Sequence, residues 1–233
     1  MIPWQPAGGP VPYRAGTLHV WLAIMPEGWQ GEAPALSSEE RARAARLVFD
    51  SDRAHFRFHH TALRTILAGY LGLAPAWVPL VISGNGKPAL APPWDGWRFN
   101  LSHSGPAALV GVSQGRPVGV DIERIRPMPA ALGIARRFFS RGEQEALEAL
   151  APREREPAFF ACWTRKEAFL KATGEGLGRG LGGFTLPVDP DDPGPWPVAE
   201  GWTVLALPPV PGYACAAAVE GGPVPVETRA FQP

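Results

Sequence analysis

Lysine and cysteine are both scarce in this chain of 233 residues, and neither sign of charge is in excess. Two cysteines, Cys162 and Cys215, are too few for a disulfide framework or a four-cysteine zinc site. Cys162 lies in an apolar run and reads as a small buried hydrophobe. With 22 Lys+Arg against 22 Asp+Glu the formal net charge is zero, which argues against a general nucleic-acid binder. No apolar stretch approaches the ~18 residues needed to cross a bilayer. The first residues have neither the basic start nor the apolar core of a secretion signal. The expectation is a cytoplasmic protein with no membrane and no nucleic-acid partner.

The lysine shortage is informative in itself. Of the 22 basic residues only Lys87, Lys166 and Lys171 are lysines. A chain that prefers arginine wherever either cation would serve keeps lysine where a compact ammonium is needed. All three fall in segments singled out below on other grounds.

A hydrophobic content of 45% is enough for a folded core. The 27 glycines and 28 prolines are together roughly twice the usual share. The Pro-dense stretches 3–12, 187–197 and 207–225 therefore read as loops, linkers or short edge strands. Residues 17–24 read as a strand. Ser37 and Glu40 form a capping box that opens a helical region, broken near Phe49-Asp50-Ser51 and stopped by Gly72 and Pro75. Strands are expected at 78–82, 97–103, 107–113 and 117–122, and helices at 129–138, 140–150 and 156–173. Ser140 and Glu143 repeat the capping-box spacing. The tail is expected to add strands at 183–187, 202–207 and 213–219. The class is α+β, with a seam near 112–117 that gives an N-terminal half, 1–113, and a C-terminal half, 114–233.

Several segments carry candidate chemistry. In Val118-Gly-Val-Asp-Ile-Glu-Arg124, Asp121 and Glu123 share one face of a strand end, because strand side chains alternate. Two adjacent carboxylates need a compensating cation, and Mg²⁺ takes such oxygen ligands together with substrate phosphates. The alternative is a solvated strand end with Glu123 paired to Arg124 or Arg126. In Trp163-Thr-Arg-Lys-Glu-Ala-Phe-Leu-Lys171, Glu167 and Lys171 are i,i+4 neighbours on a helix. They suit an anionic substrate held through a metal, or else form an ordinary ion pair. In Phe99-Asn-Leu-Ser-His-Ser-Gly105, alternation puts Asn100, Ser102 and Ser104 on one strand face and Leu101 and His103 on the other. His103 can donate to a phosphate, act in proton transfer, or serve as a structural hydrogen-bonding residue.

In Ser83-Gly-Asn-Gly-Lys-Pro88 the glycines let backbone N–H groups approach an anion and Lys87 supplies charge, but the run lacks the spacing and following helix of a P-loop, so a hairpin turn is the default. Two other signals lead nowhere specific. The glycines of 174–183 follow a helix instead of joining a strand to a helix start, so they are no dinucleotide fingerprint. The adjacent pair His59-His60 points two ways on a helix and lacks metal-ligand spacing.

Taken in order and spacing, Gly86-Lys-Pro88, Phe99-Asn-Leu-Ser-His-Ser104, Gly119-Val-Asp-Ile-Glu123, Arg137-Phe-Phe-Ser140 and the 163–171 segment resemble the 4′-phosphopantetheinyl transferases of the surfactin-synthetase-activating type. The match covers about residues 36–185. The resemblance implies a monomeric pseudo-dimer of two similar α+β halves with coenzyme A in the cleft between them. It implies transfer of the phosphopantetheine arm to a serine of an apo acyl or peptidyl carrier protein. It also implies Mg²⁺ on Asp121, Glu123 and Glu167, with Glu167 as base, Lys171 on phosphate oxygens and Glu143 on a metal-bound water. Glu143 has the helix-cap role as its alternative. Gly86, Lys87, Ser102 and His103 are implied near the 3′-phosphate and adenosine end.

One departure concerns the run Asp-Arg-Arg-Arg-Phe of many family members, whose last arginine grips the 3′-phosphate. Here it reads Asp52-Arg-Ala-His-Phe56, so His55 stands at that arginine, with Arg41 and Arg53 available to compensate. The competing readings are another Mg-dependent phosphoryl transferase and a non-catalytic coenzyme A or carrier-protein binding module.

Overall fold

A computed structural model describes residues 4–7, 12–31, 34–84, 86–174, 180–198 and 201–233. It is α+β and divides into two compact units, Ile2–Gly115 with Pro225–Pro233, and Arg116–Val224. Elements are numbered along the chain.

The first unit holds strands β1 (Gln5–Ala7) and β2 (Leu18–Ile24), helices α1 (Ser38–Ala45) and α2 (Asp50–Leu71), the ribbon β3 (Leu80–Ile82) and β4 (Pro88–Leu90), and strands β5 (Trp97–Ser104) and β6 (Ala107–Gln114). Strands β7 to β10 belong to the second unit, and β11 (Val226–Phe231) returns to the first. The five-stranded sheet runs β1-β11-β2-β6-β5. Strand β2 is buried from Leu18 to Ala23 without alternation, as befits a strand covered on both faces. It pairs parallel to β11 and antiparallel to β6. On α2, Phe58, Ala62, Leu63, Ile66 and Leu67 make a helical stripe. That stripe packs in one core with Trp21, Ala23, Phe99, Val110 and Val112 of the sheet.

The expected break between the first two helices is present. Glu40 completes the capping box at Ser37 and also pairs with Arg64 and His60 of α2, so one carboxylate ties both helices together. Burial alone would raise its pKa, but bonds from His60, the Ser37 N–H and Arg64 overcome that and hold it at about 2.

The second unit holds β7 (Val118–Arg124), α3 (Ala131–Phe138), α4 (Arg141–Ala149), α5 (Pro152–Thr173), β8 (Trp196–Val198), β9 (Trp202–Ala206) and β10 (Tyr213–Glu220). Its four-stranded antiparallel sheet runs β7-β10-β9-β8. Helix α5 starts one turn earlier than expected because Pro152 is well placed in a first helical turn. It lies against β7 and the alanine-rich β10, which present little side-chain bulk.

Two expectations for the tail need correction. Residues 183–187 are not a strand: a 3-10 turn at Leu181–Gly183 leads into chain whose backbone groups bond to side chains, not to a neighbouring strand. Strand β11 was hidden by the surrounding prolines, and it forms because β2 and β1 offer it partners on both sides. Residues 175–179 of the glycine cluster lie outside the described residues. Among the described residues no helix is long and apolar enough to cross a membrane.

Candidate active site

A close approach of α5 to β7 in the second unit sets the geometry of the acidic cluster. Gly119 faces α5: a Cβ there would meet the Ala168 carbonyl oxygen at 2.1 Å and the Ala172 nitrogen at 2.4 Å. Strand alternation then puts Asp121 and Glu123 on the face of Gly119, toward α5, while Val118, Val120 and Ile122 are fully buried on the other. On α5, Glu167 and Lys171 precede Ala168 and Ala172 by one residue each. The contact follows: Lys171 Nζ lies 2.6 Å from Asp121 Oδ1.

Asp121 is 3% exposed and Glu123 half-buried. Burial, and then the Asp121 carboxylate, push the Glu167 carboxyl above the usual range; Lys171 opposes them and Glu123 adds to the rise. Arg126 stands 3.9 Å from Glu123, the weak ion pair allowed for in the sequence. The three implied metal ligands are thus electrostatic neighbours, with Lys171 among them. Among the described residues, however, no group of three or more His, Cys, Asp or Glu side chains is close enough to hold an ion as it stands. Trp163, one turn before Glu167, packs with Phe139 and Phe159 in the aromatic core.

Glu143 is bonded through both oxygens. Oε2 accepts from the Ser140 N–H at 2.8 Å, and Oε1 from the Leu186 N–H at 2.7 Å and Lys166 Nζ at 2.8 Å. Both residues of this ion pair are fully buried. Lys166 also donates to the Leu181 and Phe184 carbonyls at 2.6 and 2.7 Å and lies over the Phe184 ring. A compact ammonium meets three acceptors here, where a planar guanidinium would not fit the same tripod. The geometry of Glu143 is that of a helix cap and a clamp on residues 181–186.

In the first unit, Ser83-Gly-Asn-Gly-Lys-Pro88 is the hairpin turn between β3 and β4, with Asn85 outside the described residues and Gly86 left-handed at φ 80°. Burial, and then the charge of Arg98, lower Lys87 to about 8. Arg98, at the start of β5, was not singled out in the sequence; its only signal was a cation next to the Phe99-to-Ser104 motif.

Strand β5 is the sheet edge beyond β6. Its Phe99 and Leu101 face α2, and His103 follows them on that side, stacked on His59 of α2 with ring centroids 4.9 Å apart. Ser102, 5% exposed, lies on the opposite face, so the strand does not bring Ser102 and His103 to one surface. His55 stacks on His59 at 5.9 Å. Arg41 and Arg53 do not converge on His55: Arg41 donates to the Leu36 carbonyl, and Arg53 to the Leu47 and Val48 carbonyls and the Asp50 carboxylate. His59 lacks metal-ligand spacing in the sequence, and no local signal there points to its contact with His103, because the two lie 44 positions apart.

Comparison with known proteins places these residues in a family. The 4′-phosphopantetheinyl transferase superfamily profile matches residues 117–202, the stretch that holds Asp121, Glu123, Glu143, Glu167 and Lys171. The 4′-phosphopantetheinyl transferase HetI of Nostoc sp. is 38% identical over 221 residues, 93% of this chain and 92% of that protein. The 4′-phosphopantetheinyl transferase psf-1 of Bacillus pumilus is 38% identical over 158 residues, 68% of this chain and 66% of that protein. The 4′-phosphopantetheinyl transferase Sfp of Bacillus subtilis is 30% identical over 156 residues, 67% of this chain and 68% of that protein. With more than nine-tenths of both chains aligned in the HetI comparison, this chain belongs to the 4′-phosphopantetheinyl transferase superfamily and is a transferase of that kind.

Proposed function

We propose that this transferase carries the phosphopantetheine arm of coenzyme A onto a serine hydroxyl of an apo acyl or peptidyl carrier protein, releasing 3′,5′-ADP. The reaction is assigned to the meeting of β7 and α5. The observation that carries the assignment is the Lys171 ammonium on Asp121 beside a Glu167 of raised pKa, inside the stretch that matches the superfamily.

The donor set fits a hard divalent ion. Asp121, Glu123 and Glu167 are all oxygen ligands, and the upward push on Glu167 is what surplus negative charge produces. Bound by these three, Mg²⁺ would neutralise charge on the coenzyme A pyrophosphate. Lys171, now held by Asp121, has the reach of a long flexible side chain to move to a phosphate oxygen of the leaving group. Glu167 would take the proton of the carrier serine as its Oγ–P bond forms. The phosphoanhydride P–O bond breaks at the same phosphorus, and its electron pair leaves with 3′,5′-ADP. Such a displacement needs in-line positioning and charge neutralisation more than covalent help.

Lys87, with Gly86 behind it, His103 and His55 are assigned to the nucleotide end of coenzyme A. Ser102, Arg41 and Arg53 are less apt, Ser102 because it faces away from His103 and the arginines because their guanidinium groups are engaged with backbone. Glu143 is assigned to holding the α4 cap and residues 181–186 in place. Most of the proposed catalytic and metal residues thus fall after residue 114.

The test is incubation with coenzyme A, Mg²⁺ and a panel of apo carriers. The expected result is a mass increase of roughly 340 Da on one or more carriers, the arm left when the phosphoanhydride is cleaved. EDTA should abolish it, Mg²⁺ should restore it, and Asp121→Ala and Glu167→Ala should each remove it. Turnover of ATP without use of coenzyme A, or tight coenzyme A binding without product on any carrier, would overturn the reading.

A further inference from the structure

Three imidazoles, His55, His59 and His103, are stacked at the edge of the first unit, and only the middle one is buried. His59 is 1% exposed, and neither of its ring nitrogens makes a well-formed hydrogen bond among the described residues, although the Pro106 backbone lies close enough to favour its charged form slightly. A buried polar group so poorly bonded calls for a reason. Burial first, then the neighbouring His103 and His55, keep His59 neutral to a pKa of about 3, so the middle ring carries no charge at neutral pH. Its plane lies 22° from that of exposed His103 and 11° from that of half-buried His55.

A flat neutral ring in that position does two things. It gives His103 a flat surface to lie on, which favours one orientation of that ring. It also tolerates a positive charge on the outer rings, since a neutral π face attracts a cation and a charged middle ring would repel it. We propose that His59 is a positioning residue: its ring is the platform that orients His103 toward a phosphomonoester of the co-substrate. The proposal rests on the reading of this unit as the one that meets the nucleotide end of coenzyme A.

The test compares His59→Leu, which removes the flat ring, with His59→Phe, which keeps it. In the carrier assay His59→Leu should raise the KM for coenzyme A about tenfold, one decade of affinity, with kcat within about twofold. The KM for dephospho-coenzyme A, which lacks the 3′-phosphate, should change little, and His59→Phe should keep the wild-type KM for coenzyme A. A parallel measurement needs no turnover: the His103 ring resonances are followed by NMR as 3′,5′-ADP and then 5′-AMP are added. The wild type and His59→Phe should show saturable shifts with 3′,5′-ADP only, and His59→Leu should lose them.

An equal rise in KM for coenzyme A and dephospho-coenzyme A, a fall in kcat alone, or a His59→Phe variant as impaired as His59→Leu would overturn the platform role. So would His103 shifts that are indifferent to 3′,5′-ADP in the wild type. If no carrier is modified but His103 responds to 3′,5′-ADP only when residue 59 carries a flat ring, the platform stands and the transfer reading falls.

Discussion

Gly119 and Ala168 are in contact through a side chain that is missing: a Cβ on Gly119 would stand 2.1 Å from the Ala168 carbonyl oxygen. A glycine inside a strand weakens it unless another backbone must come close, which is its use here. Because β7 and α5 touch at this point, Asp121 comes within reach of Lys171, and the acidic face of the strand meets the charged side of the helix.

Gly119→Ala therefore tests the frame of the site separately from its chemistry. The obstacle is helix backbone, which cannot rotate aside, so the variant should lose about 3 kcal/mol or more, the upper end of overpacking costs. Transfer should fall with it. Chemical denaturation would decide, and a Gly119→Ala protein as stable as the wild type would refute the close approach of α5 and β7.

Glu143→Gln separates the helix cap from the metal-water role. It leaves the Lys166 ammonium buried without its counter-charge, a change that costs about 3–5 kcal/mol in comparable pairs. The melting temperature should drop by roughly 2–4 °C for each kcal/mol lost. Activity per folded molecule should persist, and Lys166→Met combined with Glu143→Gln should recover part of the stability. A Glu143→Gln protein with unchanged melting and no transfer would instead make Glu143 catalytic.

Acid should destabilise the first unit well above the range where carboxylates protonate. His19, fully buried, is held at about 4, by burial first, against the attraction of Glu227 and with some repulsion from Arg229. His59 is held at about 3. Unfolded, both take up protons near pH 6.5, so the unfolded state binds more protons below that pH and native stability falls as pH drops through 6.5 toward 4. For His19 alone the loss approaches about 3 kcal/mol at pH 4, at ~1.4 kcal/mol per pH unit. Glu40, held at about 2, adds a separate loss below pH 4.5. Urea midpoints at pH 7 and pH 4.5 check this. Equal midpoints would contradict it, and His19→Phe should flatten part of the slope.

Lys87 predicts a limit on the alkaline side. Held at about 8 by burial and by Arg98, it loses its charge as pH rises through that value. If it meets a phosphate, the affinity for 3′,5′-ADP should weaken between pH 7 and pH 9, and Lys87→Arg should stay flat over the same range because a guanidinium does not titrate there. Calorimetric titration at the two pH values is the check. A pH-independent affinity in the wild type would remove Lys87 from the anion site.

Most of the helices and strands were legible in order along the chain because their causes are local. The capping boxes at Ser37 and Ser140, the apolar stripe of α2 and the alternation of Asp121 and Glu123 about Ile122 each depend on residues a few positions apart. The spacing of the motifs was enough to bring out the family resemblance. The tail was harder to read: residues 183–187 look like a strand but are held by Lys166 and Glu143, and β11 forms only because β2 and β1 flank it. The role of each lysine was also open until the fold brought distant partners together. Lys166 lies within a buried tripod, Lys171 on Asp121 fifty positions away, and Lys87 beside Arg98. The physical reason is range: periodicity and caps act within a turn or two of the chain, whereas burial and charge pairing depend on which segments the folded core brings into contact.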